Sequence, residues 1–167
     1  KALGRVSIYY QQGANGEFRF HKSIEGPDSV IDPTTNFGAS VAIAGDKLAV
    51  GAPTYFSNAN RRTGRVFTYV RDRGGVDNWG RTPSSLVDAT TTLDELYGAS
   101  VAISPLGFLV IGAPNALDAN TMKNTGAIYL YTFDSNTGDW VRSQGTFSVT
   151  PSPATTKTAR FGESIAI

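Results

Sequence analysis

The sequence predicts an all-β chain assembled from repeated four-stranded antiparallel units, and three observations carry that prediction. The first is self-similarity: Phe37-Gly-Ala-Ser-Val-Ala-Ile-Ala-Gly-Asp-Lys-Leu-Ala-Val-Gly-Ala-Pro53 is echoed by Tyr97-Gly-Ala-Ser-Val-Ala-Ile-Ser-Pro-Leu-Gly-Phe-Leu-Val-Ile-Gly-Ala-Pro114. A third copy opens at Phe161-Gly-Glu-Ser-Ile-Ala-Ile167, so the starts are 60 and 64 residues apart, a spacing that marks a repeat architecture. The second is periodicity, because apolar residues recur at every second position and not at helical spacing. The third is a grading of residue size within each unit, from a small-residue first strand to a fourth strand that opens on an aromatic.

Each unit resolves into four strands in order. The first, Gly38 to Ala44, carries small and β-branched residues on both faces, which predicts a strand buried between neighbours. Gly45-Asp46 suits a tight turn with glycine at its first central position. The second strand, Lys47 to Val50, runs into Gly51-Ala52-Pro53, where proline removes a ladder donor. The third alternates most cleanly: Val66, Thr68 and Val70 against Phe67 and Tyr69, then Ile128 and Leu130 against Tyr129 and Tyr131. Gly4-Arg5-Val6-Ser7-Ile8-Tyr9-Tyr10 repeats it, with Gly4, Gly64 and Gly126 holding the period. Phe18, Trp79 and Trp140 open the fourth strand of successive units, and Pro83 within it argues for an outer edge.

Four antiparallel strands with a small-residue inner strand and a bulky outer one describe a β-propeller blade, because blades converge at the axis and diverge at the rim. A β-sandwich gives strands at this spacing too, but it does not require the same small-residue strand at the same place in every unit. The units are residues 1–36, the second half of a blade; 37–96 and 97–160, two full blades; and 161–167, the first strand of the next. All belong to one propeller domain. The pattern therefore predicts an excerpt of a longer protein, or a subcomplex completed by further blades from the same or another chain. It also predicts an uncovered apolar face at each end, formed by Val6, Ile8 and the leading unit on one side and by Ile165 to Ile167 on the other.

The signatures Phe37-Gly38 with Gly51-Ala52-Pro53, Tyr97-Gly98 with Gly112-Ala113-Pro114, and Phe161-Gly162 resemble the FG-GAP repeat family, which builds the propeller of integrin α-subunits and of many surface proteins. That resemblance implies an extracellular or cell-surface location. It also implies a non-catalytic scaffold for protein or glycan interaction in an adhesion or structural assembly, the alternative being an accessory propeller of a larger secreted hydrolase or lyase. Integrin-type repeats commonly place a calcium loop between the first and second strands. Here those connections are only Gly45-Asp46 and Ser104-Pro105-Leu106-Gly107, too few oxygen ligands for the ion, so the calcium cage is not carried over and no cofactor is expected.

A net charge of +1 from 15 basic and 14 acidic residues predicts no strong field for nucleic acid or a membrane surface. Arg61, Arg62, Arg65, Arg71, Arg73 and Arg81 cluster locally and read as a solvated rim. Cysteine is absent, so no disulfide framework exists, and the segment holds no membrane-spanning run, signal peptide or glycosylation sequon.

Catalytic constellations are missing as well. The single histidine, His21, has no serine and aspartate at triad spacing, and no phosphate-binding or zinc-protease motif occurs. Asp134, Asn136 and Asp139 partly imitate a calcium loop, but Asn, Gly and Asp are also ordinary hairpin-turn residues, so this is a weak metal candidate. Recognition is expected on the long irregular connections Thr54 to Thr63 and Asn115 to Thr125, which fall on one face of such an architecture. Tyr55, Phe56, Asn58, Asn60, Arg61 and Arg62 on the first and Asn120 and Lys123 on the second form the candidate surface, with core packing as the other reading of Tyr55 and Phe56.

Overall fold

The computed structural model describes residues 4–13, 16–26, 35–58, 61–84, 86, 94–118, 123–148 and 159–167. It is all-β. A leading hairpin pairs β1 (Arg5–Gln12) with β2 (Glu17–Glu25). The first full repeat contains β3 (Ser40–Ala44), β4 (Lys47–Ala52), a ribbon of β5 (Phe56–Asn58) and β6 (Arg61–Arg62), then β7 (Arg65–Arg71) and β8 (Trp79–Arg81). The second copies it as β9 (Ser100–Ile103), β10 (Phe108–Ala113), a ribbon of β11 (Leu117–Asp118) and β12 (Lys123–Asn124), β13 (Ala127–Asp134) and β14 (Asp139–Ser148). Strand order is β3-β4-β7-β8 in one sheet and β9-β10-β13-β14 in the other, every pairing antiparallel. The Gly45 turn has φ 59° at its first central residue, as the sequence predicts.

The aromatic-glycine signature is a tight turn. Ala39 N–H donates to the Asn36 carbonyl (3.0 Å) and Ala99 N–H to that of Leu96 (3.0 Å), with Gly38 and Gly98 at φ 89° and 87°. Glycine at the third position of such a turn is required because positive φ excludes a Cβ at low energy. The turn aims the glycine carbonyl out of its own sheet and into the preceding repeat. Ser40 Oγ donates to the Gly98 carbonyl (2.7 Å), and Ser100 Oγ donates to the Gly162 carbonyl (2.7 Å). Opposite each serine in the ladder stands the glycine of Gly-Ala-Pro, Gly51 facing Ser40 and Gly112 facing Ser100. A methyl on Gly51 or Gly112 would collide with the carbonyl oxygen of Gly98 or Gly162. These two glycines are thus the openings through which each repeat is gripped by the one before it.

The hydrophobic cores lie at the junctions between units. One cluster joins Val6, Ile8 and Ile24 of the leading hairpin to Phe37, Leu48, Val50, Tyr55, Phe67 and Trp79. The other joins Ala49, Val66 and Leu86 of the first repeat to Tyr97, Val101, Ile103, Tyr129, Tyr131 and Trp140 of the second. A flat unit with two apolar faces buries them only against its neighbours.

Several expectations are corrected here. The second strand continues to Ala52, because Gly51 and Ala52 still pair with Val66 and Arg65 and only Pro53 stops the ladder. Pro83 lies outside the fourth strand, which ends at Arg81 and resumes as a bridge between Val66 and Leu86. Thr82 N–H still donates to the Thr68 carbonyl (2.9 Å), and Pro83 falls between that bond and the Val66–Leu86 bridge, so proline withdraws no ladder bond. The same break interrupts the β13–β14 register between Tyr129 and Tyr131 and the β1–β2 register between Ile8 and Tyr9. The inner strand is buried on both faces only in the second repeat: Val101 and Ile103 are each 8% exposed, whereas Val41 and Ile43 are 50% and 57% exposed. β3 and β4 cover β9, and no equivalent hairpin covers β3 among the described residues. Val6 and Ile8 are buried against the first repeat, since they point toward it while Tyr9 and Phe20 face solvent. Residues 163–167 form no strand, because a first strand needs a second to pair with.

If the junction is built as described, Gly112→Val should destabilise the chain by about 3 kcal/mol or more, the upper range of overpacking. Ser100→Ala should cost about 1–3 kcal/mol, the penalty for a buried carbonyl left without its donor. Urea unfolding of each variant measures both. A loss below about 0.5 kcal/mol for Gly112→Val, the size of an ordinary surface change, would disprove the grip.

Candidate functional site

The two connections expected to be irregular are short antiparallel ribbons. In the first, Phe56 pairs with Arg62 and Asn58 with Arg61; in the second, Leu117 pairs with Asn124 and Asp118 with Lys123. Each is pinned at its base. The Thr63 and Gly64 N–H groups both donate to the Tyr55 carbonyl (3.1 Å each), and those of Thr125 and Gly126 donate to the Ala116 carbonyl (3.1 and 3.0 Å). Turns initiated at Pro53 and Pro114 set this geometry, with Tyr55 N–H donating to Ala52 and Ala116 N–H to Ala113 (3.0 Å each). A pinned base holds a short ribbon in place although the ribbon alone has few bonds.

The candidate residues divide within this frame. Tyr55 is 6% exposed and packs edge-on against Phe67 with ring centroids 5.6 Å apart. Arg65 lies over its other side, 4.4 Å from the centroid, and donates to its hydroxyl (3.3 Å). Tyr55 is therefore a core residue, and its counterpart in the second repeat, Ala116, is buried too. Phe56 is half-buried under the exposed Arg62 guanidinium, 5.1 Å from its ring centroid, a cation–π pair at the surface. Lys123 and Asn124 are exposed. Asn60 and Asn120 lie outside the described residues.

The arginine-rich segment is not a continuous basic patch. Arg65 and Arg62 cover aromatic rings, Arg81 lies 5.8 Å from the Phe67 ring, and Arg73 Nη1 donates to the Gly138 carbonyl of the next repeat (2.7 Å). Their planar, weakly hydrated heads suit that use.

Sequence reasoning missed a cleft of about 450 Å³ between the leading hairpin and the first repeat, lined by Tyr10, His21, Arg71, Asp77, Ile43 and Trp79. His21 Nε2–H donates to the Asp77 carbonyl (3.1 Å), and Lys22 Nζ donates to Asn78 Oδ1, so the hairpin is tied across the cleft. At the same level of the second repeat Phe133 stands where the first has Arg71, with Lys47 Nζ 4.6 Å from its ring centroid. Only the alignment of Arg71 with Phe133 could have signalled the difference. The lining can donate and accept hydrogen bonds, and among the described residues it holds no serine, threonine or cysteine nucleophile.

The weak metal candidate is a self-capped turn. Asp134 Oδ1 accepts the Asn136 N–H (2.8 Å), while Asp139 accepts the Trp140 N–H on Oδ1 (2.9 Å) and the Ser84 N–H on Oδ2 (3.1 Å). The Asn136 N–H foremost holds the Asp134 carboxyl below the usual carboxylate range. Asp46 is likewise lowered, chiefly by its hydrogen bond from Lys47. Burial pushes the Tyr69 hydroxyl up to about 12. Among the described residues no group of three or more His, Cys, Asp or Glu side chains is placed to hold a metal ion, and no helix is long and apolar enough to cross a membrane.

Compared with known protein families and with curated proteins, the chain matches none. Its all-β architecture of antiparallel sheets is what the structure itself establishes.

Two measurements follow from the carboxylates. Calcium and chelator should leave the unfolding midpoint unchanged. A bound ion would instead add about 2.7 kcal/mol at a hundredfold excess over its Kd, and such a rise would restore Asp134, Asn136 and Asp139 as ligands. Asp46 and Asp134 titrate lower in the folded chain than in the unfolded one. Their stabilisation is thus present above the unfolded value of about 3.9 and lost as pH falls through the folded values. Urea midpoints should fall below about pH 4, and less steeply in the Asp46→Asn/Asp134→Asn variant; parallel profiles would contradict this.

Proposed function

We propose that these residues form part of a β-propeller that serves as a non-catalytic scaffold for protein or glycan recognition. The observation that carries the reading is the identical junction at Ser40, Gly51 and Gly98 and again at Ser100, Gly112 and Gly162. One stacking rule applied at successive junctions generates a closed ring or a superhelix of sheets, and the small-residue inner strands favour the ring. The ribbons recur at equivalent positions of successive repeats, so the ring carries them on one rim as a recognition surface. The resemblance to FG-GAP repeats supports an extracellular or cell-surface adhesion or structural assembly.

Binding of the chain to an immobilised panel of extracellular-matrix proteins and glycans tests the reading. At least one member should bind, and Phe56→Ala/Arg62→Ala/Lys123→Ala should weaken that binding at least about tenfold, about 1.4 kcal/mol, with the unfolding midpoint unchanged. Hydrolysis or elimination of panel glycans by the chain would overturn the non-catalytic reading, and equal binding by the variant would remove the ribbons from it.

A further inference from the structure

We propose that the turns joining the third and fourth strands form an outer clasp, in which a left-handed residue presents its backbone carbonyl to the preceding unit, and that this clasp fixes the angle between successive sheets and with it the spacing of the ribbons. The clasp is independent of any ligand the ribbons take.

The same arrangement occurs at two junctions. Asp77 and Gly138 each stand two residues before the tryptophan of the fourth strand, Trp79 or Trp140, and both are left-handed, at φ 56° and 65°. The Asp77 carbonyl accepts His21 Nε2–H (3.1 Å) from the leading hairpin, and the Gly138 carbonyl accepts Arg73 Nη1–H (2.7 Å) from the first repeat. The next residue supplies a side-chain oxygen as a second acceptor. Asn78 Oδ1 takes Lys22 Nζ, and Asp139 Oδ2 takes the Ser84 N–H (3.1 Å). Backbone geometry and acceptor positions therefore recur while every donor differs, so the turn conformation itself offers the site. A Cβ on Gly138 would lie 2.9 Å from Arg73 Nη1, so glycine there serves both the left-handed turn and the approach of the guanidinium. Aspartate at 77 suits the same conformation better than most residues with a side chain.

Its position gives the clasp leverage. The inner grip of Ser40 on Gly98 acts at the first strand of the sheet, whereas Arg73 and Ser84 flank the fourth. Two to three strand spacings separate these contacts, about 10–14 Å across the sheet. A contact at one radius leaves two packed sheets free to rock about it, and a second at a larger radius removes that freedom. β4 runs toward its ribbon and β7 returns from the ribbon to the 72–78 turn, since Lys47 pairs with Val70 and Ala52 with Arg65. The clasp thus sits at the end of the sheet opposite the ribbon, and the strands between them carry any rocking from one end to the other.

The chain contains no cysteine, so introduced cysteine pairs take nitroxide labels without competition. One pair, Val76→Cys with Ser135→Cys, reports the clasp side; a second, Arg62→Cys with Lys123→Cys, reports the ribbons. Distance distributions from pulsed dipolar spectroscopy should broaden at least about twofold for both pairs in Arg73→Ala/Asp139→Ala. Arg73→Lys should keep both narrow, because lysine still brings a donor to the carbonyl. Unchanged widths in the double variant would overturn the proposal. Broadening at the clasp side alone would also overturn it, by confining the motion to the turn. If the double variant loses its strand signal in circular dichroism, Arg73→Ala alone is read in the same way. Neither distance involves a ligand, so a failure of the binding panel leaves this result unaffected.

Discussion

A carbonyl oxygen inserted into the sheet of the preceding repeat is the contact on which this structure turns. The Gly98 peptide is held from both sides: its N–H donates to the Gly112 carbonyl of its own sheet (2.9 Å), and its C=O accepts Ser40 Oγ from the sheet before (2.7 Å). One residue therefore fixes a strand within its unit and the unit against its neighbour. The geometry works only if the backbone at 98 is left-handed and if position 51 has no side chain. Both requirements select glycine, and both recur one repeat later at 162 and 112.

The turn that delivers this carbonyl carries a local cost. Leu96 sits at φ 57°, where a side chain with a Cβ loses about 1–2 kcal/mol. The next residue, Tyr97, offsets that cost. It is fully buried, packs against Tyr129 with ring centroids 5.1 Å apart and the planes tilted by 60°, and shares a 2.7 Å hydrogen bond with the Tyr131 hydroxyl. Burial of a large side chain is worth about 1.5–3 kcal/mol before the ring contacts are added. The aromatic of the signature thus drives the turn, the glycine permits it, and the residue before them is forced into its conformation by both.

Legibility in the sequence followed the range of the interactions. Strand order and period could be read because alternation and glycine placement are properties of one unit, and Val66 to Val70 or Ile128 to Tyr131 display them without reference to anything else. The grip of Ser40 on Gly98 could not, because a serine in a small-residue strand looks like any other. Only the ladder pairing of Ser40 with Gly51 explains why those two positions are what they are. The half-exposed Val41 and Ile43 illustrate the same limit: their sequence is nearly that of Val101 and Ile103, so what differs is the neighbour. Of the candidate surface, Phe56, Arg62 and Lys123 are accessible. Tyr55 was ambiguous because an aromatic beside a proline serves a loop or a core equally well, and the decision rests on Phe67 and Arg65 lying around its ring.

Placing the cores at the junctions also determines which parts of the surface can vary. A substitution in Val101 or Trp140 alters the contact between two repeats, so its effect reaches both sheets. The ribbons stand apart from this. Each leaves the sheet after a proline and returns through a threonine and a glycine that both bond one carbonyl, and its described residues Phe56, Arg62, Leu117, Lys123 and Asn124 belong to neither core cluster. Fixed ends allow residues of the ribbon to change without disturbing the junctions. The two repeats differ there: Phe56 and Arg62 occupy one ribbon, while Leu117, Lys123 and Asn124 occupy the other. Identity at the grip and divergence at the ribbon separates the residues that hold successive repeats together from those that are free to vary.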